Sequence, residues 1–326
     1  MLVDQNLANF SDLSYRTAVA IYVVALFMSL FYYVRMQSVI DARRASKETA
    51  REKEAVLVGA STSVIVEPKP VFDERPVDRL GSMTQSLIWL GIIIHLAAAV
   101  LRGLSAGRFP FGNLYEYVLM ITAGAMIAAA ITFQRKEWRP LWPWFLVPIL
   151  ALMFFGGTKL YAASAPVVPA LQSYWLPIHV TVVATGAAIG IVSGLLSLLH
   201  LLRRWQPKGQ EHGFFGAVAR PLPSAKKLDQ MAYRTAVITL PTLGLGIVLG
   251  AIWAEATWGR PWGWDPKETV SFATWVLYAA YLHARATPSW RKAAPWINVV
   301  ALATMVFNLF FINMVVSGLH SYAGLN

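Results

Sequence analysis

Residues 235–286 read TAVITLPTLGLGIVLGAIWA, then EATWGRPWGWDPKE, then TVSFATWVLYAAYLHARA. An apolar run, a tryptophan-dense loop and a second apolar run follow one another directly. Each run has about the length, ~20 residues, that carries a helix across the hydrocarbon of a bilayer. In lipid a helix satisfies its own backbone, whereas an open strand or irregular loop does not. Comparable runs occur at 16–36, 82–101, 115–134, 141–158, 175–202, 235–254, 268–286 and 296–316. They predict an all-α, polytopic transmembrane helical bundle of about eight spans. The composition agrees, with 326 residues, 56% hydrophobic and only 14% charged. The short alternating strands of a membrane barrel do not occur.

Basic residues orient the bundle. Met1 to Tyr15 carry Asp4 and Asp12 but no Lys or Arg, unlike the start of a cleaved signal peptide, so the first span is expected to stay as a helix. Most of the 28 Lys and Arg fall in 35–79, 135–139, 203–234 and 284–295. The opposite side holds only Arg16, Arg102, Arg108, Lys159, Arg260 and Lys267. The positive-inside bias then places the N- and C-termini and the Trp loop outside the cytoplasm. The net charge of +11 follows from this asymmetry and needs no nucleic-acid partner. The absence of cysteine excludes disulfides, thiolate metal sites and a cysteine nucleophile, so any thiol chemistry belongs to a partner.

Three divisions follow. Residues 1–36 form an external N-terminus and the first transmembrane helix. Residues 37–79 are a cytoplasmic charged connector, helical over Asp41 to Val56, with a small-residue and Pro-containing linker through Pro76. Residues 80–326 form the main transmembrane domain, with its external loop at 255–268. No internal repeat and no Gly-rich phosphate motif appears.

The loop W-G-R-P-W-G-W-D-P-K-E (258–268) places Trp258, Trp262 and Trp264 within seven residues, and Gly259, Pro261, Gly263 and Pro266 break any helix. Three indoles on an unwound backbone suggest a flat aromatic platform for a large planar ligand. The competing reading is an aromatic belt at the bilayer interface, but a belt scatters its rings over many helix ends. Asp265, Pro266 and Glu268 also spell a helix start, with Asp265 as N-cap. That role would begin the next span and hold the indoles in place.

The six histidines sort by depth. His179, in the first turn of span five, and His320, after the last span, share the level of the Trp loop. Each alone reads as an interfacial residue. Together beside the indoles they suit a haem held between two imidazoles, each oriented through its other nitrogen. His283, with Ala279 and Ala280 at helical spacing, lies near the inner end of span seven. Small neighbours leave room for a flat ring or equally for close helix packing. His95, in span two, is a weaker candidate because its depth differs. His200 and His212 receive no role. Arg260 and Lys267 could meet haem propionates or phospholipid headgroups.

The Trp loop, with Trp275 and the Y-A-A-Y-L-H of 278–283, resembles the WWD signature of haem-handling proteins. Within that group G-R-F-P-F-G-N-L-Y-E (107–116), L-Q-S-Y-W-L-P-I-H (171–179) and G-L-H-S-Y-A (318–323) resemble the CcsA (ResC) branch of system II cytochrome c biogenesis. The resemblance runs from about residue 80 and does not include the connector. It implies a subunit of a cytochrome c haem lyase complex that receives haem b, in its reduced form, within the membrane. The subunit then presents it on the outer face to the C-x-x-C-H segment of apocytochrome c. On the same resemblance His179 and His320 are the axial ligands of the presented haem, with Trp258, Trp262, Trp264 and Asp265 around it. His283 ligates a second, inner haem, whose other ligand comes from a CcsB (ResB)-type membrane subunit. Thioredoxin-like thiol-reducing proteins act indirectly, and the bacterial plasma membrane is the expected location rather than a plastid thylakoid. Two alternatives stay open on the residues alone. One is a b-type cytochrome electron carrier, with paired histidines at matched depth on facing spans. The other is a haem-free secondary transporter, with broken helices and an internal repeat.

Overall fold

Polar caps and two glycines decide where the apolar runs begin and end. The computed structural model describes residues 3–58 and 73–320. Among the described residues its α-helices are α1 (Gln5–Val58), α2 (Arg75–Ala106), α3 (Leu114–Thr132), α4 (Trp142–Lys159), α5 (Trp175–Trp205), α6 (Gly213–Ala219), α7 (Ala225–Trp258), α8 (Pro266–Ala286) and α9 (Ala294–Phe307). Single 3₁₀ turns at Lys136–Leu141 and Pro169–Gln172 lead towards α4 and α5, and a π turn, Asn308–Ile312, continues α9. No strand occurs among the described residues. Asn113 caps α3 by accepting from the Glu116 amide at 2.9 Å, and Ser224 caps α7. α2 and α7 end at Gly107 and Gly259, whose φ of 63° and 69° lie in the left-handed region that glycine enters without strain.

Among the described residues seven helices have both the length and the apolarity to cross a bilayer. The chain is an integral membrane protein. The remaining expected span, 268–286, corresponds to α8, which has the length, 21 residues, but is less apolar. Its polar positions Lys267, Glu268, Ser271 and Thr274 share one face and line a cavity.

The expected first span and the charged helix after it form one continuous helix. α1 has 54 residues, about 80 Å at 1.5 Å per residue, against ~30 Å of hydrocarbon. Residues 37–58 are rich in Ala, Arg, Glu and Lys and contain neither Gly nor Pro, so nothing interrupts the helix. Beyond the apolar stretch Arg44 pairs with the buried Glu211 at 3.0 Å, and Asp41 pairs with Arg220 at 2.9 Å. Arg43 pairs with Glu74. The part of the expected linker at 59–72 lies outside the described residues.

α5 stands at the centre, packed on α3, α7 and α9, while α1 and α2 lie side by side against α3 and α4. Its small residues make this possible. A Cβ on Gly186 would come 3.0 Å from Leu243 of α7, on Gly190 2.7 Å from the Tyr278 hydroxyl of α8, and on Gly194 2.6 Å from Leu302 of α9. A glycine every fourth residue gives one helix edge on which three neighbours can seat. Polar groups lock the seams. Tyr278 donates to the Gly190 carbonyl at 3.1 Å, and Asn298 donates to Ser193 and Ser197 at 2.9 and 2.8 Å.

Gly190→Leu forces a side chain into Tyr278 and is expected to cost about 1–3 kcal/mol, the usual penalty of overpacking. Thermal unfolding of the purified chain in detergent should show a lowered midpoint. An unchanged midpoint would mean that Tyr278 does not pack tightly on Gly190.

Candidate functional site

Asp265 organises the start of α8. Its carboxylate accepts from the Lys267 amide at 3.2 Å, while Glu268 returns to the Asp265 amide at 3.1 Å, the reciprocal box of a helix N-terminus. Glu268 also accepts from the Gly263 amide at 3.0 Å. Between these bonds Trp264 has φ 56°, the sole positive φ outside glycine among the described residues. Holding a tryptophan there costs roughly 1–2 kcal/mol.

The same carboxylate ties in the segment after α9. It accepts from the Leu319 amide at 2.7 Å and from Nδ1–H of His320 at 2.8 Å. Gly318 permits the approach, since a Cβ there would sit 2.6 Å from the Asp265 oxygen. Burial pushes the Asp265 carboxyl upward, but the hydrogen bonds from His320 and the two amides outweigh it and hold its pKa to about 2. An ionised carboxylate only accepts, so the His320 proton sits on Nδ1 and Nε2 carries the lone pair. Burial also lowers the proton affinity of His320, against the opposing pull of Asp265.

His179 arrives from the first turn of α5. Its Nδ1–H donates to the Gly246 carbonyl of α7 at 2.9 Å, which again leaves the lone pair on Nε2. A Cβ on Gly250 would stand 2.7 Å from the imidazole, so that glycine lets the ring lie against α7. Both imidazoles rest on one indole. The Trp253 centroid is 6.0 Å from His179, with ring planes 7° apart, and 5.8 Å from His320. Trp258 meets His320 edge to face at 5.1 Å.

Beneath these rings lies a cavity of about 220 Å³, far more than the ~15 Å³ one water requires. His179, His320, Trp253 and Trp262 form its upper wall, and Ile191, Leu243 and Met305 lie at its deep end. The polar groups on its α8–α9 side are Lys267, Ser271, Asn308 and Asn313. Lys267 donates to the Asn313 amide oxygen and lies 5.9 Å from the centre of the Tyr117 ring. The π turn creates this arrangement: residues five apart stack in a π helix, and the Asn313 amide donates to the Asn308 carbonyl at 3.2 Å.

The structure thus gathers His179, His320, Trp258, Asp265, Trp262 and Lys267, and separates the others. The indoles do not make the flat platform expected from the sequence. Trp262 and Trp264 cross at 86°, and Trp253 and Trp258 at 67°, the edge-to-face geometry that aromatic quadrupoles favour. Trp264 is 66% exposed and does not line the cavity. Arg260 is also outside it, 3.7 Å from Glu268 and lying over Trp258. His283 lies in the last turn of α8, exposed, at the far end from Asp265. His95 is fully buried elsewhere, between Tyr15 and Tyr22, with its Nδ1 3.5 Å from the Tyr22 hydroxyl. Asp265 is more than the expected cap, because it also orients His320. Sequence reading missed Trp253, Gly250, Tyr117, Asn308 and Asn313. A second Trp five residues before Trp258 was the available signal for the first.

Comparison with known proteins places this geometry in context. Residues 80–320 match the family model described as cytochrome c assembly protein. The "Cytochrome c biogenesis protein CcsA" of Guillardia theta is 36% identical over 76% of this chain and 85% of its own length. The protein of the same name from Thermosynechococcus vestitus is 34% identical over 77% and 89%, and that of Synechococcus sp. (strain RCC307) 31% over 76% and 87%. Among solved structures, one titled "Cytochrome c Heme Lyase CcmF" superposes on 95% of this chain with a TM-score of 0.59 at 15% identity. This chain spans about half of it, 47%, and the likeness is one of fold.

Asp265→Asn keeps a capping oxygen but removes the charge that holds His320. It is expected to cost about 1–3 kcal/mol, the range for a hydrogen bond to a charged group. Folded Asp265 titrates near 2, below the ~3.9 of an unfolded aspartate. Its contribution is therefore fully present above pH ~4 and is lost as pH falls towards 2. The melting difference between wild type and variant should narrow as pH falls from 4 towards 2. A difference that persists unchanged at pH 2 would contradict this assignment.

Proposed function

The chain belongs to the cytochrome c assembly protein family, and from that membership we propose that it is the haem-handling membrane subunit of a cytochrome c synthase. It receives haem b within the membrane and presents it, reduced, at the cavity mouth to the C-x-x-C-H segment of apocytochrome c. The observation that carries this reading is the pair of imidazoles on one indole. His179 comes from α5 and His320 from the segment after α9, each gives its Nδ1 proton to a fixed acceptor, and each keeps its lone pair on Nε2. Ligands oriented in this way suit an iron held between two histidines.

The other residues fit the same cargo. The cavity is deep, largely apolar and walled by aromatic rings, as a pocket for a flat hydrophobic ligand requires. Trp253 and Trp258 pack against the imidazoles, and Trp262 adds to the wall beside α8. The stitched loop from Gly263 to Glu268 keeps that wall in place. When bound, haem supplies the iron and the vinyl groups to which the apoprotein thiols add. The chain contributes position and exclusion of water rather than a side-chain acid or base. Basic residues gather at the end opposite the cavity, which supports placing the cavity outside the cytoplasm. His283, exposed on α8, is suited to a site completed by a second membrane subunit of the CcsB type.

His179→Ala and His320→Ala should each abolish or shift the visible absorbance of purified protein and lower holocytochrome yield, and added imidazole should restore part of the absorbance. Spectra and yield that both survive either change would refute the ligand assignment.

A further inference from the structure

Two formally charged side chains, Lys267 and Glu268, line the cavity, and they differ in what they meet. The Glu268 carboxylate is taken up by the Gly263 and Asp265 amides at 3.0 and 3.1 Å and by Arg260 at 3.7 Å. Lys267 forms no ion pair with a carboxylate among the described residues. Its ammonium meets the neutral amide oxygen of Asn313 and the face of Tyr117. Asp265, two positions before Lys267, has its oxygens occupied by His320 and the Leu319 and Lys267 amides. Arg260, the other cation of the loop, is neutralised outside the cavity by Glu268. A cation facing an apolar space with only neutral partners is costly, and an anionic ligand removes that cost.

We propose that Lys267 recognises a propionate carboxylate of the haem, and so sets which edge of the ring turns towards α8. The inference rests on the haem reading above. Three features support a carboxylate over a larger anion. Lys267 lines the same cavity as both imidazoles. Asn313 and Tyr117 hold the ammonium in place, so that it acts as a fixed point charge. The π turn that delivers Asn313 would have no purpose in a wall meant only to be apolar. The propionates occupy one edge of protoporphyrin IX and the vinyl groups the opposite edge. Anchoring the first at the start of α8 turns the second away from it, which makes Lys267 a specificity-determining residue for the orientation of the cargo.

The test is an absorbance titration of the full chain in lipid-free detergent, with protohaem and with its dimethyl ester, which keeps the vinyl groups and iron but has no carboxylates. Wild type should bind protohaem at least about tenfold more tightly than the ester, as expected for one charge-assisted contact. Lys267→Gln should reduce protohaem affinity to the level of the ester while leaving ester affinity and band position unchanged. Lys267→Arg should keep most of the preference. Equal weakening of both porphyrins by Lys267→Gln would overturn the proposal, because it reports packing alone. So would a wild type indifferent to esterification, which would mean that the ammonium serves another anion, such as a lipid phosphate. If no porphyrin binds to wild type at all, the haem reading fails, and this inference with it.

Discussion

One carboxylate holds the cavity end of this molecule together. Asp265 begins α8, accepts from the Leu319 amide and orients His320, so the loop, a helix and the segment after α9 meet at a single group. The arrangement works because the carboxylate stays ionised. Hydrogen bonds from three directions outweigh the burial that would neutralise it. The tautomer of His320, and hence the nitrogen it offers to a ligand, follows from that charge.

Charge also clamps the bundle at both ends. Near the cavity the fully buried Glu116 pairs with Arg102 at 3.0 Å and Arg108 at 2.7 Å, and accepts from the Gly112 amide at 2.7 Å. At the other end Glu211 pairs with Arg203 at 2.9 Å and with Arg44 of the long α1. Such groups are weak sources of net stability but strongly specify one arrangement, since removing one partner strands the other. Between the clamps the glycine edge of α5 draws α7, α8 and α9 inward. The polar face of α8 is then left to line the cavity rather than to meet lipid.

The helices were legible because apolar length is a strong signal, and the spans expected at 82–101, 115–134, 141–158 and 175–202 correspond closely to α2 to α5. The unity of α1 was less visible, because a hydropathy reading stops at the end of the apolar run while helix propensity continues through Asp41 to Val56. The site was legible in part. His179, His320 and the Trp loop stand out by type and depth, and Asp265 by its place in a helix-start pattern. Its bond to His320 spans 55 positions, and no local pattern encodes that. Trp253 looked like one more tryptophan in an apolar helix. Asn308 and Asn313 were hidden by their five-residue spacing, which falls off the α-helical face and aligns only in a π turn. The expected platform failed for a simpler reason: neighbouring indoles prefer to meet at an angle.

The position of His320 has a consequence for biosynthesis. One imidazole of the pair is made near the middle of the chain and waits on α5, while the other follows α9. The pair therefore cannot form until every intervening helix has been threaded into the bilayer. A nascent chain still leaving the ribosome holds one imidazole without the other, and the wall they share exists only in the finished fold.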